Sequence, residues 1–496
     1  MNKKAGIRSL WRRSMAMGLA AVGLWIGSAW AEDELIAKVE AESGTLLGQA
    51  KVAATGTSVS SLERDGDGVQ VTVNVPEAGH YDIVVHQATI GGGVKINFVE
   101  ANGQRVGEVT SPGSSWNDGV VEYVWLEAGE NTISVTKSYG WVAIDYIGVK
   151  ESAAIPADVY DVEPTLINPN ATEEARRLMT FLCDNYGKNV ISGQQCQDGP
   201  FGMDNAAIWR ATGGSYPAVL GMDMISYSPA RAAKGDQSSV TEYAIEYWES
   251  GGIVTFCWHW CPDSRYDNGR DPWGTFYTEN TRFNLKKAMN GQDEYGYQML
   301  LDDIDAIAVQ LKKLQDAGVP VLWRPLHEAS GGWFWWGASG AEPYMELYKL
   351  MYHRLTEVHG LNNLIWVWNG QDAAWYPGDE YVDIIGEDIY PGEKVYTSQA
   401  ARFLKALSYT DTRKLITLSE NGCIPDPDLL IRDQVMWSYW CTWEGEFVLK
   451  TAGFNAYSGQ YTEKDQLKKT YKHDSVITRK TLPDLKTYPL RDEAAE

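Results

Sequence analysis

The 496-residue chain is 44% hydrophobic and 22% charged, ordinary globular proportions that exclude wholesale disorder, and its length predicts two or three domains. A formal net charge of −23 excludes a nucleic acid or an anionic membrane surface as partner, because such ligands need basic patches. The 21 Trp and 27 Tyr point instead to a neutral ligand with apolar faces and many hydroxyls, which describes a sugar polymer.

Residues 1–31 read as a signal peptide. Lys3, Lys4, Arg8, Arg12 and Arg13 make a basic n-region, MAMGLAAVGLWIG an apolar stretch too short to span a bilayer, and Ala29-Trp30-Ala31 a small-x-small cleavage site. The expectation is an exported chain, secreted or periplasmic, soluble and monomeric, with no membrane association after cleavage. Residues 33–150 read as an all-β sandwich: VQVTVNV, HYDIVVHQA, VKINFVE, NTISVTK and VAIDYIGV alternate or run β-branched between turns such as Asn102-Gly103. No nucleophile motif or acid pair stands out in them, so binding is the expected role. ESAAIPADVYDVEPT, residues 151–165, carries two Pro and little periodicity and is taken as a linker.

From residue 166 to 490 strands alternate with amphipathic helices. The strands are NVISGQQ, PAVLGMD, GIVTFCWHW, VPVLWRPLHE, NLIWVWNG, YVDIIGEDIY, KLITLSENG and MWSYWCTWEG. Eight such units predict a (β/α)₈ barrel. An open doubly wound sheet would want a Gly-rich loop after the first strand, and ISGQQ is not one. Six Cys permit disulfides in an exported chain. Cys257 and Cys261 flank His259, but four residues of strand span roughly 13 Å, beyond disulfide reach unless the chain turns after Trp260. None of the 7 His sits in a zinc spacing.

In a barrel the site lies at the C-terminal ends of the strands. Strand three ends in Trp258-His259-Trp260, strand four in Arg324-Pro325-Leu326-His327-Glu328, strand six in Glu387-Asp388-Ile389-Tyr390 and strand seven in Ser419-Glu420-Asn421. Glu328 and Glu420 thus face each other across the mouth. Hydrolysis of a glycosidic bond needs two such carboxyls, one to protonate the leaving oxygen and one to attack the anomeric carbon or activate water. After Glu328 comes Gly331-Gly332-Trp333-Phe334-Trp335-Trp336-Gly337, rings that must line a groove or be covered.

WRPLHE followed by GGWFWWG resembles glycoside hydrolase family 26, and so do ISGQQ, YPGDEYVDIIGEDIYP, LSENG and YKHDSVITRKTLP. The resemblance covers residues 166–485 and implies a retaining endo-β-1,4-mannanase acting on plant mannan, with no cofactor for catalysis. It makes Glu328 the acid/base and Glu420 the nucleophile. It places His259, His327, Trp333, Tyr390 and a Trp at the end of strand eight around the −1 sugar. For that Trp, Trp443 is preferred to Trp440, and Trp260 and Asp388 are further candidates. Burial among Trp333, Trp335 and Trp336 would raise the acid's pKa, while donors such as Arg324, His327 or Tyr390 would keep the nucleophile ionised. VEAESGTLLG, VPEAGHYDIVV and VAIDYIGV resemble carbohydrate-binding module family 35, which implies a jelly-roll-like sandwich with structural Ca²⁺ at Glu40, Glu42 and Asp145. Trp116, Tyr139 and Trp141 are its candidate sugar platforms. A β-1,3-1,4-glucanase, a xylanase, an exo-acting mannobiohydrolase or a non-catalytic mannan binder are the competing readings.

Overall fold

The computed structural model describes residues 35–450 and 456–491, so the leader expected at 1–31 lies outside the described residues. A first unit runs to Ile155 and a second starts at Pro156.

The first unit is a sandwich of two antiparallel sheets. Its strands are β1 (Ala37–Glu40), β2 (Thr45–Leu47), β3 (Lys51–Val52), β4 (Val59–Ser60), β5 (Gly68–Val75) and β6 (Gly79–Thr89). They continue with β7 (Lys95–Ala101), β8 (Gln104–Ser111), β9 (Asn117–Leu126), β10 (Gly129–Tyr139) and β11 (Val142–Glu151). One sheet has the order β3-β4-β11-β6-β9 with β1 on β11, the other β2-β5-β10-β7-β8. Alternation dictates the faces: Val69, Val71, Val73 and Val75 of β5 meet Ile83, Val85, Ile144, Ile147 and Val149 in one buried core, while Thr72 and Asn74 face out. Asn102 and Gly103, at φ 50° and 77°, form the two-residue turn between β7 and β8 that matches strand twist.

The second unit closes a barrel of eight parallel strands. A short bottom strand β12 (Val190–Ile191) precedes barrel strands β13 (Gly193–Gln195), β14 (Val219–Asp223), β15 (Ile253–Cys257) and β16 (Val321–Arg324). Then follow β17 (Leu364–Trp368), β18 (Ile384–Ile389), β19 (Leu415–Asn421) and β20 (Trp440–Thr442), with β21 (Val476–Ile477) pairing β12. All eight expected segments are barrel strands, although NVISGQQ divides at Ser192: Val190–Ile191 pairs with the tail and only Gly193–Gln195 enters the barrel. After β17 the described residues form two short 3-10 turns, Ala373–Trp375 and Asp379–Tyr381, in place of a long helix. Residues 156–165, expected as linker, are packed on the barrel unit through buried Val159 and Val162 and an Asp158–Arg413 ion pair at 3.0 Å.

Composition left two points open. All six cysteines are buried and unpaired. Cys257 Sγ lies 3.8 Å from Met222 O and Cys261 Sγ 3.7 Å from Trp273 O, so the two thiols face different partners. Many tryptophans serve packing: Trp323, Trp366, Trp368, Trp437 and Trp440 are fully buried in or around the barrel wall.

Candidate active site

Arg324 ends β16, and the strand direction stops there. Leu326 and Glu328 take φ values of 52° and 53°, left-handed backbone that costs a non-glycine residue on the order of 1–3 kcal/mol. The neighbouring strand end stabilises this kink: the Glu328 amide donates to Asn369 O at 2.8 Å, and Trp336 Nε1 donates to His327 O at 2.8 Å. The turn presents the Glu328 side chain to the mouth, where Trp333 Nε1 donates to its Oε2 at 2.8 Å.

Three strands away, Glu420 stands near the end of the wholly buried β19. Arg324 reaches across the barrel and joins the two sides. Its Nη2 donates to Glu420 Oε2 at 2.6 Å and its Nη1 to Asp388 Oδ2 at 2.6 Å, all three side chains being buried. The Tyr390 hydroxyl donates to Glu420 Oε1, and Ser419 Oγ to Asp388 Oδ1 at 2.8 Å. Carboxyl oxygens of Glu328, Asp388 and Glu420 lie within 4.8 Å of one another.

The two glutamates therefore occupy opposite environments. Glu328 keeps part of its side chain open to solvent, yet burial, reinforced by the charge of Glu420, pushes its carboxyl up to about 7. The indole N–H of Trp333 and the guanidinium of Arg324 pull the other way and only moderate the rise. Glu420, by contrast, accepts hydrogen bonds from a guanidinium and a phenol. One carboxyl is thereby suited to hold a proton near neutral pH, and the other is oriented by two donors.

His259 and His327 complete the wall, with their Nε2 atoms 3.2 Å apart. Asp223 accepts from the His259 amide at 3.0 Å and engages its Nδ1 at 2.6 Å. Burial lowers the His259 pKa, but the charge and hydrogen bond of Asp223 outweigh it and leave it raised. Burial, Arg324 and His259 hold His327 well below the usual histidine range. The two rings are thus pushed in opposite directions, His259 toward its charged form and His327 toward its neutral form. The Trp443 ring lies 5.9 Å from His259, and Phe334 and Phe276 flank it at 5.4 and 4.8 Å.

The sequence model of glycosyl hydrolase family 26 matches residues 167–481. The chain belongs to this family. The model of carbohydrate binding module family 35 matches residues 37–152. The chain is 38% identical over 441 residues to a mannan endo-1,4-beta-mannosidase of Thermothelomyces thermophilus, covering 88% of this chain and 87% of that protein. It is 36% identical to mannan endo-1,4-beta-mannosidase B of Piromyces sp, covering 90% of this chain and 77% of that one. Among solved structures it is similar to the Podospora anserina GH26-CBM35 β-(1,4)-mannanase, with a TM-score of 0.64 and 35% identity over 91% of this chain and 99% of that one.

Of the site residues expected for family 26, the structure gathers Glu328, Glu420, His259, His327, Trp333, Tyr390 and Trp443 at one mouth. Trp260 does not join them: it is fully buried, stacks on Trp258 at 4.2 Å and donates Nε1 to Asp303 at 2.7 Å, so its ring supports the wall from behind. Trp335 and Trp336 are likewise buried, because the Gly-flanked loop folds them under itself, and Trp333 alone of the three indoles bonds the acid. Trp440 is buried in the barrel wall. Asp388 is buried behind Glu420, and His327 faces His259 rather than the nucleophile candidate. Asp223 and Asn369 were not expected. Their signal was there, a polar residue closing PAVLGMD and another closing NLIWVWN, since a barrel strand's C-terminal end is where polar residues gain function.

Among the described residues two trios could offer metal ligands within 4.8 Å, Glu328–Asp388–Glu420 and Asp223–Cys257–His259. In the first, Arg324 already supplies the cation. In the second, burial holds the Cys257 thiol well above its usual range, so it stays protonated, and Asp223 is committed to His259.

In the sandwich, Glu40 ends β1 opposite Tyr146 and pairs with Lys38 at 2.9 Å. Asp145 sits where the register of β11 shifts, and Glu42 lies in the short turn Ala41–Ser43. Glu42 Oε2 is buried with no hydrogen-bond partner, the environment a hard cation satisfies. Trp116, Tyr139 and Trp141 are exposed by 48%, 64% and 53% on loops and strand ends.

Proposed function

We propose that the chain is an exported endo-β-1,4-mannanase that cleaves mannan-type polysaccharides with retention of configuration. The observation that carries this reading is the pair Glu328 and Glu420, with oxygens within 4.8 Å and opposite electrostatic surroundings. That separation supports a double displacement, in which the carboxyls stand about 5–5.5 Å apart, over an inverting mechanism, in which they stand roughly 6.5–9.5 Å apart. Glu328 gives its proton to the leaving oxygen while Glu420 attacks C1 from the opposite face. The glycosyl-enzyme then breaks down when Glu328, now a carboxylate, takes a proton from a water that bonds to C1 and releases the Glu420 carboxylate. The two carboxyls supply all the acid, base and nucleophile the reaction needs, so no cofactor enters it.

His259, Trp333, Tyr390 and Trp443 would shape the −1 subsite, with His327 fixing His259 and Asp388 fixing Arg324. The exported, monomeric state rests on the leader-like residues 1–31 and the single self-contained site. The sandwich would bind polysaccharide through Trp116, Tyr139 and Trp141. Glu42 and Asp145, with Glu40 released from Lys38, would hold a calcium ion there, a role supported by the orphan Glu42 Oε2. Reducing-sugar release from mannan, lichenan and xylan side by side tests the substrate class. The expected result is turnover of mannan well above the other two. Preference for lichenan or xylan would assign a glucanase or xylanase, and no release from any would leave a binding protein.

A further inference from the structure

The segment ISGQQCQ carries three glutamines, and none of them enters the chemistry described so far. Its strand β13 is short: it pairs with β20 at a single register position, Gln194 with Thr442. Toward β14 the ladder ends at Gln195 opposite Gly221, followed by one bond from the Cys196 amide to Gly221 O at 2.9 Å. The chain then turns, the Gly199 amide donating back to Cys196 O, and a side chain takes over from the ladder. Gln197 Nε2 donates to Asp223 O at 2.7 Å, and Gln197 Oε1 accepts from the Asp223 amide at 2.8 Å. A backbone amide only donates and a carbonyl only accepts, so this pairing demands one donor and one acceptor on the same planar group. A carboxylate cannot supply both.

What Gln197 holds is the residue that holds His259. Asp223 Oδ1 accepts from the amides of His259 and Ile225 at 3.0 and 2.9 Å, and its Oδ2 engages His259 Nδ1 at 2.6 Å. His259 in turn meets His327 through Nε2 and lies 5.9 Å from the Trp443 ring. The backbone of Gln197 reaches the other half of this wall. Its amide donates at 3.1 Å to Oε2 of Glu444, the residue after Trp443. These bonds lie beyond the backbone pairs that close the barrel, at the level where the mouth is built.

Resting on the reading of His259 as a wall of the −1 subsite, we propose that Gln197 is a positioning residue whose side-chain amide fixes the end of β14, so that Asp223 presents His259 to the sugar. It touches no substrate and acts only through Asp223. Gln197→Glu keeps the shape of the side chain and puts the pairing under the control of a proton. The protonated acid donates to Asp223 O and accepts from the Asp223 amide, as the glutamine does. The carboxylate sets an acceptor against Asp223 O and breaks the pair. Around the position stand Asp198 next in the chain, Asp223 ending β14, Glu444 after β20, and Asp204 on helix Met203–Thr212, which accepts from the Gly445 amide. His259 is their counter-charge. Acids in that number favour the protonated form of an introduced carboxyl and extend it above the usual carboxylate range.

The test measures kcat and KM on linear mannohexaose against pH for full-length wild type, Gln197→Ala and Gln197→Glu, and follows the His259 imidazole by NMR. Gln197→Ala should lose on the order of 10–100-fold in kcat, the scale on which a misplacement of about 1 Å acts, with KM changed less than about threefold. Gln197→Glu should be as slow as Gln197→Ala at high pH and approach wild type as pH falls. Taken as a ratio to wild type, that recovery is free of the titration of Glu328. Burial lowers the His259 pKa and Asp223 raises it, so loosening Asp223 in Gln197→Ala should bring it down. A Gln197→Glu deficit that is the same at every pH, or a Gln197→Ala enzyme with wild-type kcat, overturns the assignment and leaves the mannanase reading in place. If Gln197→Ala does not fold, the pH dependence of Gln197→Glu decides alone. A wild type that releases no sugar overturns the mannanase reading, and the titration of His259 then decides: a lowered pKa keeps Gln197 as the residue that positions it, and an unmoved one removes that role.

Discussion

The barrel mouth gathers three carboxylates within 4.8 Å of one another, whereas the candidate acids of the sandwich form no such group among the described residues. At the barrel mouth each acid has a protein donor: Trp333 for Glu328, Arg324 and Tyr390 for Glu420, Arg324 and Ser419 for Asp388. In the sandwich, Glu40 pairs with exposed Lys38, while Glu42 keeps a buried oxygen with no partner. Carboxylates whose donors are built in can be tuned separately, one to hold a proton and one to remain charged. A carboxylate left bare in a buried place calls for a cation from solution. The contrast sets acids with built-in donors against one acid with none, and residue type alone does not make that distinction.

The sharpest test of this contrast falls on Glu420. On the proposed reading, Glu420→Ala removes the attacking atom and leaves Arg324 and Tyr390 without their acceptor, so kcat on mannan should fall on the order of 10⁴-fold or more. Azide should restore turnover of an activated aryl mannoside and give the α-configured product, because the small anion fills the vacated face. A 2-deoxy-2-fluoro mannosyl label should be found on the peptide containing Glu420. A label on Glu387 instead would break the comparison. In the structure that residue is buried and bonded to Arg402 and Tyr409, which leaves it no path to a substrate.

A smaller effect is expected at Glu328. Since its carboxyl is pushed up to about 7, the protonated form, which on the proposed reading donates to the leaving group, is present below that pH and lost above it. The basic limb of kcat/KM should therefore fall through about 7. Trp333→Phe deletes an N–H that lowers this pKa, so the limb should move to higher pH, and a move to lower pH would reverse the assigned role of the indole. Glu328→Ala should show a burst on a dinitrophenyl mannoside and then stall, because such a leaving group needs no acid but deglycosylation needs the base.

Much of this geometry was legible in the sequence, for identifiable reasons. Strand ends are visible as apolar runs closing on a polar residue, so KLITLSE placed Glu420 and VPVLWRPLHE placed Glu328. Sequence could not say which tryptophans line the mouth. GGWFWWG reads as four equivalent rings, and only the folding of the loop turns Trp335 and Trp336 inward and Trp333 toward Glu328. Asp223 escaped notice because its importance lies in a 2.6 Å contact with His259, a residue 36 positions away. The Arg324 bridge was legible only as one candidate among several donors, since linking Glu420 to Asp388 requires the closed barrel.

The last expectation concerns the sandwich and should leave chemistry unchanged. If Glu42 Oε2 is satisfied by calcium, ion binding stabilises the folded sandwich by about 2.7 kcal/mol when free calcium is 100 times its dissociation constant. For a domain of this size that corresponds to a melting shift on the order of 10 °C. Chelator should therefore lower the sandwich transition and spare that of the barrel, with kcat on soluble oligosaccharides unaltered. Glu42→Gln makes the sign decisive. With an ion bound, the substitution loses a charged ligand, so it should destabilise the sandwich in calcium and make it indifferent to chelator. Without one, it relieves a buried carboxylate that nothing pairs, so stability should hold or rise. A variant as stable as or more stable than wild type in calcium, together with a wild type that ignores chelator, would remove the ion from the sandwich and leave its acids as surface charges.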